Sequence, residues 1–438
     1  MSLASIMALS LAGCGGSSGG SDSSKKEGSG DAGKTLNIWC WNDEFQSRFN
    51  DYYPEVEKVS KDKSTTTLKD GTVVKWTINP NENNNYQNKL DEALLNQEKA
   101  SADDKIDIFL IEADYALKYV DSDYTMDIKD LGLTDDDLSE QYQYTKDIVT
   151  VDGTQKGTTW QATPGLFAYR RSIAKDVLGT DDPDEISAMV SDWDSFIETG
   201  KKIKESSGGA VNMIPGIDTL VQPLVNQTGL RWRDENKLMV QENFTDTIEL
   251  MLKLKEAEID AGLDVWTPAW NASFGQGNVF CYPGSCWFQS YVIEPNDPEG
   301  SGNWGVAEVP GGAYNWGGIW WGMYNQSENK DAVAAWMKYE LSKEGAQNKY
   351  DLIHFYPGVK SAYEDDYLNK PNEFFGGENV TELYLKEMDE MTVLRPIADD
   401  ALFYNSMTFF AQSLEGTADE IAEKVEEDII SSNPQYEK

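Results

Sequence analysis

The run Ile106-Asp107-Ile108-Phe109-Leu110-Ile111, followed by Glu112-Ala113-Asp114-Tyr115, decides the fold. Its first six residues are nearly continuous in apolar character and read as a strand. Upstream, Leu36-Asn37-Ile38-Trp39-Cys40-Trp41 reads as another strand, and Asn42-Asp43-Glu44 leads from it into a helical pattern through Phe45, Phe49 and Tyr53. A further strand, Val73 to Ile78, precedes a helix from about Asn85 with Tyr86, Leu90, Ala93 and Leu94 on one face. Strand–helix alternation of this kind predicts an α/β protein with a parallel sheet and helices on its faces.

The theme continues downstream. Thr159 to Tyr169 reads as extended, a helix starts at Trp193, and a longer one is expected from Phe244 to Ala261. Strands fit Val279–Cys281, Trp304–Val309 and Gly318–Tyr324, the last ahead of an amphipathic helix through Val333, Trp336, Met337 and Leu341. Thr417-Ala418-Asp419-Glu420 is a capping box, which satisfies the free amide donors at the start of the last helix.

At 438 residues the chain exceeds what one hydrophobic core usually serves, so two lobes are expected. A formal charge of −39 speaks against a nucleic-acid partner, since phosphate binding needs Lys and Arg to release counterions. The single histidine, His354, would have to carry any Ser-His-Asp triad or His-based zinc site, and a lone His is ordinarily a packing residue. Neither a metal nor another cofactor is expected.

The N-terminus carries its own signal. Met1 to Gly13 is small and apolar and ends Leu11-Ala12-Gly13 before Cys14, which resembles the lipobox of bacterial lipoproteins and implies diacylation of Cys14. The basic n-region of a signal peptide is missing, so the true start is expected upstream. Residues 15–34, rich in Gly and Ser, read as a tether between that anchor and the folded body. A diacylated cysteine would be a stable anchor, and the membrane is expected to be touched only through it. Of the other cysteines, Cys40 alternates into the apolar face of a strand, while Cys281 and Cys286 flank the turn-rich Tyr282-Pro283-Gly284-Ser285. That spacer would allow a disulfide outside the cell, and the spacing leaves the pairing open.

In a parallel α/β sheet, ligands bind beyond the carboxyl ends of the strands. Trp41, Asn42, Asp43 and Glu44 follow one strand and Asp114 and Tyr115 another, so these six are expected to face a shared cleft. Carboxylates and Asn accept hydroxyl hydrogen bonds, and aromatic faces cover the C–H surface of a pyranose ring; together they suit a sugar. The same residues also serve as helix N-caps and core aromatics, and each singly can be read that way. Trp320 and Trp321 point to opposite faces of one strand, so at most one can see the cleft. Trp76, Trp193 and Trp336 read as core, Trp39 is ambiguous, and Trp160 and Trp232 are weaker candidates for the cleft.

Along nearly its whole folded length the chain resembles the extracellular solute-binding proteins of carbohydrate ABC importers, including the maltose-binding type. The likeness lies in the order of several segments: Ile108 to Leu131; Trp193-Asp194-Ser195-Phe196; Gly284-Ser285-Cys286-Trp287-Phe288; Pro310-Gly311 with Trp316-Gly317-Gly318; Asp331 to Gly345; and Ala401-Leu402-Phe403-Tyr404. The resemblance implies a two-lobed, type II periplasmic-binding-protein-like fold with discontinuous lobes joined by a hinge. Lobe 1 would comprise 35–162 with 309–358, and lobe 2 would comprise 163–308 with 359–438. It also implies that Trp287, Trp316, Phe403 and Tyr404 meet the ligand. The protein is then expected to be a monomeric carrier, not an enzyme, held by its lipid anchor at the extracellular face of the cytoplasmic membrane. It would hand a sugar, an oligosaccharide given the many aromatics, to an ABC permease. Tyr115, Glu44 and Phe403 depart from the maltose-binding pattern, which leaves the particular sugar open. The alternatives are a secreted glycoside hydrolase, for which Asp43, Glu44 and Asp114 are the available carboxylates, and another carbohydrate-binding surface protein. An amino-acid receptor would need an Arg clamp, and none of Arg170, Arg171, Arg231, Arg233 and Arg395 sits in the segments expected to line the cleft.

Overall fold

The strands that carry the cleft are β1 (Thr35–Cys40), β2 (Val56–Val59), β3 (Thr65–Leu68), β4 (Val73–Ile78), β5 (Ile108–Glu112), β6 (Gly157–Gln161), β7 (Gly165–Arg170), β8 (Cys281–Ser285), β9 (Trp304–Ala307) and β10 (Ile319–Met323). They come from a computed structural model that describes residues 35–438 apart from 354, 392, 394, 395 and 398, and leaves aside the side chains of 83, 114 and 351–353. The expected leader with Cys14, the tether, His354 and Arg395 thus lie outside the described residues.

Seven strands form one sheet in the order β2-β3-β4-β1-β5-β10-β6, and three form another in the order β8-β7-β9. The centre of the large sheet is parallel, with Ile38 opposite both Trp76 and Ile108. The rest departs from the expected all-parallel sheet. β10 runs antiparallel to β5 and β6, and β2 and β3 form an antiparallel edge. The reason is connectivity: β10 re-enters from the other sheet, and β2 and β3 form a Thr-rich hairpin with little apolar alternation. Ile108 to Ile111 are buried on both faces, whereas β1 buries alternate residues, Leu36, Ile38 and Cys40.

The helices follow the local chemistry. Trp193–Ser206 is capped by the Asp192 carboxylate, which accepts the Ser195 amide at 2.7 Å. Ala418–Ser432 starts on the expected capping box, with Glu420 Oε2 accepting the Thr417 amide at 2.8 Å. The long helix spans Val240–Glu256, earlier at both ends than its apolar periodicity predicts, and its C-terminal end is set where Glu258 adopts a left-handed φ of 53°. Among the described residues, no helix is long and apolar enough to cross a membrane.

The expected turn between Cys281 and Cys286 is corrected here. The Tyr282–Ser285 segment is strand β8, not a turn, and pairs residue by residue with β7. At a rise of about 3.3 Å per residue, Cys281 and Cys286 are too far apart to bond. Both are buried free thiols, facing the carbonyls of Met213 and Ala162 respectively. Trp320 and Trp321 are both fully buried; their indoles reach the Thr145 carbonyl at 2.8 Å and Glu340 Oε2 at 3.5 Å.

Behind the large sheet two buried polar centres fix its geometry. Asp107 accepts the Asn37 amide at 2.7 Å, the Ser327 hydroxyl and the Asn329 side-chain amide at 3.1 Å. Burial nevertheless pushes its carboxyl up to about 6. Glu340 and Lys349 form an ion pair at 3.1 Å with both side chains almost wholly buried. Desolvation raises the Glu340 pKa and lowers that of Lys349, while their mutual attraction opposes both shifts. Arg48 donates to the Lys349 carbonyl at 2.6 Å and lies over Trp160 and Phe355. Removing one partner of such a pair leaves an uncompensated charge. Lys349→Met should therefore cost about 3–5 kcal/mol in urea unfolding, and the double change E340Q/K349M should recover most of it. A double variant as unstable as the single one would show that the pair is not the cause.

Candidate functional site

The C-terminal ends of β4, β1, β5 and β6 and the N-terminal end of β10 all open on one side of the large sheet. The segments beyond them, Asn81, Trp41-Asn42, Glu44, Glu112-Ala113, Gln161, Thr163 and Gly317-Gly318, form one wall of a cleft of ≈ 740 Å³. The facing wall comes from Asp218 to Trp232, Val265-Trp266, Trp287, Tyr291 and the face of the helix Asp400–Ser413. The cleft volume lies in the usual range for small-molecule sites, about 300–1,000 Å³.

On the first wall the Trp41 ring is held edge-on by Phe45 and Tyr86, at centroid distances of 5.3 and 5.4 Å. Asn42 donates from Nδ2 to Glu44 Oε2 at 3.3 Å and accepts the Glu44 backbone amide at 3.2 Å. Burial raises the Glu44 pKa, opposed by hydrogen bonds from Tyr291 and Asn42 and by the charge of Arg48.

The facing wall is aromatic. Trp287 stacks nearly parallel to Trp266, with 9° between planes and 6.4 Å between centroids, and meets Trp316 edge-on at 5.7 Å. The Trp287 indole donates to the Trp316 carbonyl at 3.0 Å. The neighbouring Gly317 and Gly318 have φ of 100° and 135°, and a Cβ on Gly318 would stand 2.3 Å from the Trp320 ring. Only glycine fits there. Trp266, half exposed, is itself left-handed at φ 64°. Further along, Trp232 and Phe403 are parallel within 2°. The Trp232 indole donates to Asp400 Oδ1 at 2.6 Å, and the Tyr404 hydroxyl to Asn226 Oδ1 at 2.6 Å. Asp400 also accepts the Ile397 amide at 2.8 Å; burial raises its pKa, opposed by those bonds and by the nearby charges of Arg231 and Arg233.

Of the residues singled out in the sequence, Trp41, Asn42, Glu44, Trp287, Trp316, Phe403 and Tyr404 come together on this cleft. Asp43 is exposed at the start of the helix Glu44–Tyr52 and does not line it. Tyr115 packs against Tyr86 and Tyr119. Asp114 sits in the turn Ala113–Tyr115 directly after β5, its side chain outside the description. Trp160 is core, whereas Trp232 reaches the cleft. Sequence reasoning missed Asn81, Asp218, Asn226, Trp266 and Asp400, and it placed Arg231, which is on the wall, outside the cleft segments. Asn81 had a usable signal, since it follows a strand end as Asn42 does. Among the described residues no group of three or more His, Cys, Asp or Glu could hold a metal ion.

Residues 66–376 match the family described as "Bacterial extracellular solute-binding protein". The lactose-binding protein of Rhizobium radiobacter is 23% identical over 418 residues, 90% of this chain and 91% of that protein. The arabinooligosaccharide-binding protein of Halalkalibacterium halodurans is 24% identical over 257 residues, a match spanning 55% of this chain and 56% of that protein. A crystal structure of an extracellular solute-binding protein of family 1 superposes with a TM-score of 0.71 at 19% identity, covering 91% of this chain and 99% of that one. The two-lobed, α/β periplasmic-binding-protein-like fold is therefore the fold of this chain.

Asp218 provides a test of the cleft's electrostatics. Its Oδ2 accepts the Val265 amide at 2.9 Å and the Gln412 side-chain amide at 3.3 Å, but its buried Oδ1 has no hydrogen-bond partner. Desolvation raises its pKa above the usual 3.8. A raised carboxyl contributes stability below its unfolded pKa that is lost as pH climbs through the folded value. Asp218→Asn removes that loss, so its stability relative to wild type should be higher at pH 7 than at pH 4 in urea titrations. An offset independent of pH would contradict the assignment.

Proposed function

Because the chain belongs to the bacterial extracellular solute-binding proteins, we propose that it captures a carbohydrate, an oligosaccharide, between its lobes and presents it to the membrane permease of an ABC importer. The observation that carries this reading is the make-up of the cleft. Trp41, Trp266, Trp287, Trp316 and Tyr404 share its walls with Glu44, Asp218, Asn226 and Asp400. Indole faces bury the C–H surface of a sugar ring, and fixed carboxylates and amides meet its hydroxyls, so neither half of the ligand is left unpaired. The lactose- and arabinooligosaccharide-binding relatives support the same class. A cleft of ≈ 740 Å³ flanked by more than one indole suits more than one ring.

The mechanism is a hinged clamp. We divide the chain into lobes of 35–162 with 309–358 and 163–308 with 359–438. The strands support the first two crossings, which fall between Gln161 and Gly165 and between Ala307 and Ile319. The third passage runs somewhat later, as Val359 still bridges to Gln141 and Lys360 donates to the Glu140 carbonyl. Diacylation at Cys14 would keep this carrier at the outer face of the membrane, within reach of its permease. The reading makes the protein a monomeric carrier and assigns it no chemistry of its own.

Ligand that binds only the native state raises its apparent melting temperature. A thermal-shift screen against lactose and arabino-, malto-, xylo-, manno- and galacto-oligosaccharides should find a stabilising sugar, and Trp287→Ala should abolish most of the shift. Tight binding of a monosaccharide alone would refute the oligosaccharide assignment. An undiminished shift in the Trp287 variant would refute the stacking role.

A further inference from the structure

A hydrogen bond between two side chains spans the cleft. The Tyr291 hydroxyl donates to Glu44 Oε2 across the cleft, linking residues 247 positions apart. Glu44 opens the helix after β1, and Tyr291 lies in Gln289–Ile293, a π-helical turn after Trp287. Such turns re-aim a side chain by one extra residue per turn. The segment is well anchored. Gln289 and Asn372 exchange side-chain amide bonds at 3.4 and 2.9 Å, Gln289 also donates to Glu294 at 2.9 Å, and the Tyr291 amide reaches the Trp287 carbonyl at 3.2 Å. The Tyr291 ring, 44% exposed, leans on Phe355 at 6.1 Å. Tyr291 is therefore neither core nor a free surface side chain.

We propose that Tyr291 is a positioning residue: from the second wall it fixes the Glu44 carboxylate through Oε2, leaving Oε1 to accept a ligand hydroxyl, and the same bond closes the cleft. This rests on the carbohydrate reading given above. Both side-chain donors to Glu44, Asn42 Nδ2 and the Tyr291 hydroxyl, meet the same oxygen, so the orientation of the carboxylate depends on them. Arg48, one helical turn along, and the two hydrogen bonds favour the ionised acceptor, against burial and the adjoining acid Asp43. A carboxylate held before the ligand arrives accepts a hydroxyl without the entropy cost of being ordered at that moment. The bond is made only when the two walls approach, so ordering of the acceptor and closure of the cleft are one event.

The test is a double-mutant cycle with Tyr291→Phe and Glu44→Gln, read by calorimetry with lactose and arabinotriose and by small-angle scattering of the ligand-free chain. Tyr291→Phe keeps the ring and removes only the donor. It should weaken binding about tenfold, as expected for a hydrogen bond to a charged group. In the Glu44→Gln background the same change should have less than a twofold effect. Both single variants should enlarge the ligand-free radius of gyration relative to wild type. An effect of Tyr291→Phe that persists undiminished in the Glu44→Gln chain would mean that Tyr291 meets the ligand on its own account, and the proposal fails. An unchanged radius in both variants would equally overturn it. If neither sugar binds the wild-type chain while the scattering change appears, the choice of oligosaccharide fails and the cross-cleft bond stands.

Discussion

Ile108, Phe109, Leu110 and Ile111 are buried on both faces of one strand, and the chain must cover both sides of it. Covering it requires neighbours in the sheet and helices above and below. β1 takes one side in parallel register, and β4 continues that direction beyond β1. Parallel neighbours send their ends the same way, so the turns after β4, β1 and β5 emerge side by side, bringing Asn81, Trp41-Asn42 and Glu112-Ala113 to one rim. β10 takes the other flank of β5, and the left-handed glycines before it deliver Trp316 to the same rim. The position of the cleft is thus a consequence of burying four consecutive apolar residues.

The two walls are built on different principles. The first is made at strand ends, where backbone direction is set by the sheet and short side chains such as Asn42 and Glu44 can hold one another. The second is a mosaic of helix faces and loops in which aromatic residues support aromatic residues. Trp266 and Trp287 stack on each other and both meet Trp316 of the first rim, and Phe403 backs Trp232. A ring braced by other rings has lost its rotamer freedom before any ligand arrives, which lowers the entropy cost of stacking on it. Exposing Trp266 and seating it at φ 64° both oppose folding.

This difference also explains what could be read from the sequence. Strand ends are local: a run such as Leu36 to Trp41 declares its own direction and therefore where Asn42 and Glu44 must fall. Trp287, Trp316 and the Phe403-Tyr404 pair were reachable only through family resemblance, because nothing in their immediate neighbours announces a cleft. Asp218, Asn226, Trp266 and Asp400 had neither kind of signal. Each reaches the cleft through packing between segments far apart in the chain, as when Gln412 and the Val265 amide both meet Asp218. The supposed turn at Tyr282–Ser285 misread its Pro and Gly, which sit in a strand pinned against β7. Gly284 is kept small there by the ring of Phe288, where a Cβ would lie 2.5 Å away.

The chain's charge of −39 does not by itself set the polarity of the cleft. Most of the described carboxylates are solvated, whereas Asp218 is buried, Glu44 and Asp400 are half-buried, and desolvation raises the pKa of all three. Each is nonetheless met by donors from its own surroundings: Asn42 and Tyr291, the Val265 amide and Gln412, the Trp232 indole and the Ile397 amide. Those bonds favour the ionised form against desolvation and hold the acceptor atoms in place. Among the described residues the guanidinium on the wall is that of Arg231, which stands near Asp400, so its charge is opposed locally. An anionic ligand would meet four acids among the described residues, Glu44, Glu112, Asp218 and Asp400, and one guanidinium whose charge is already opposed. A neutral molecule with many hydroxyl donors and broad C–H faces leaves neither the fixed acceptors nor the braced rings unmatched.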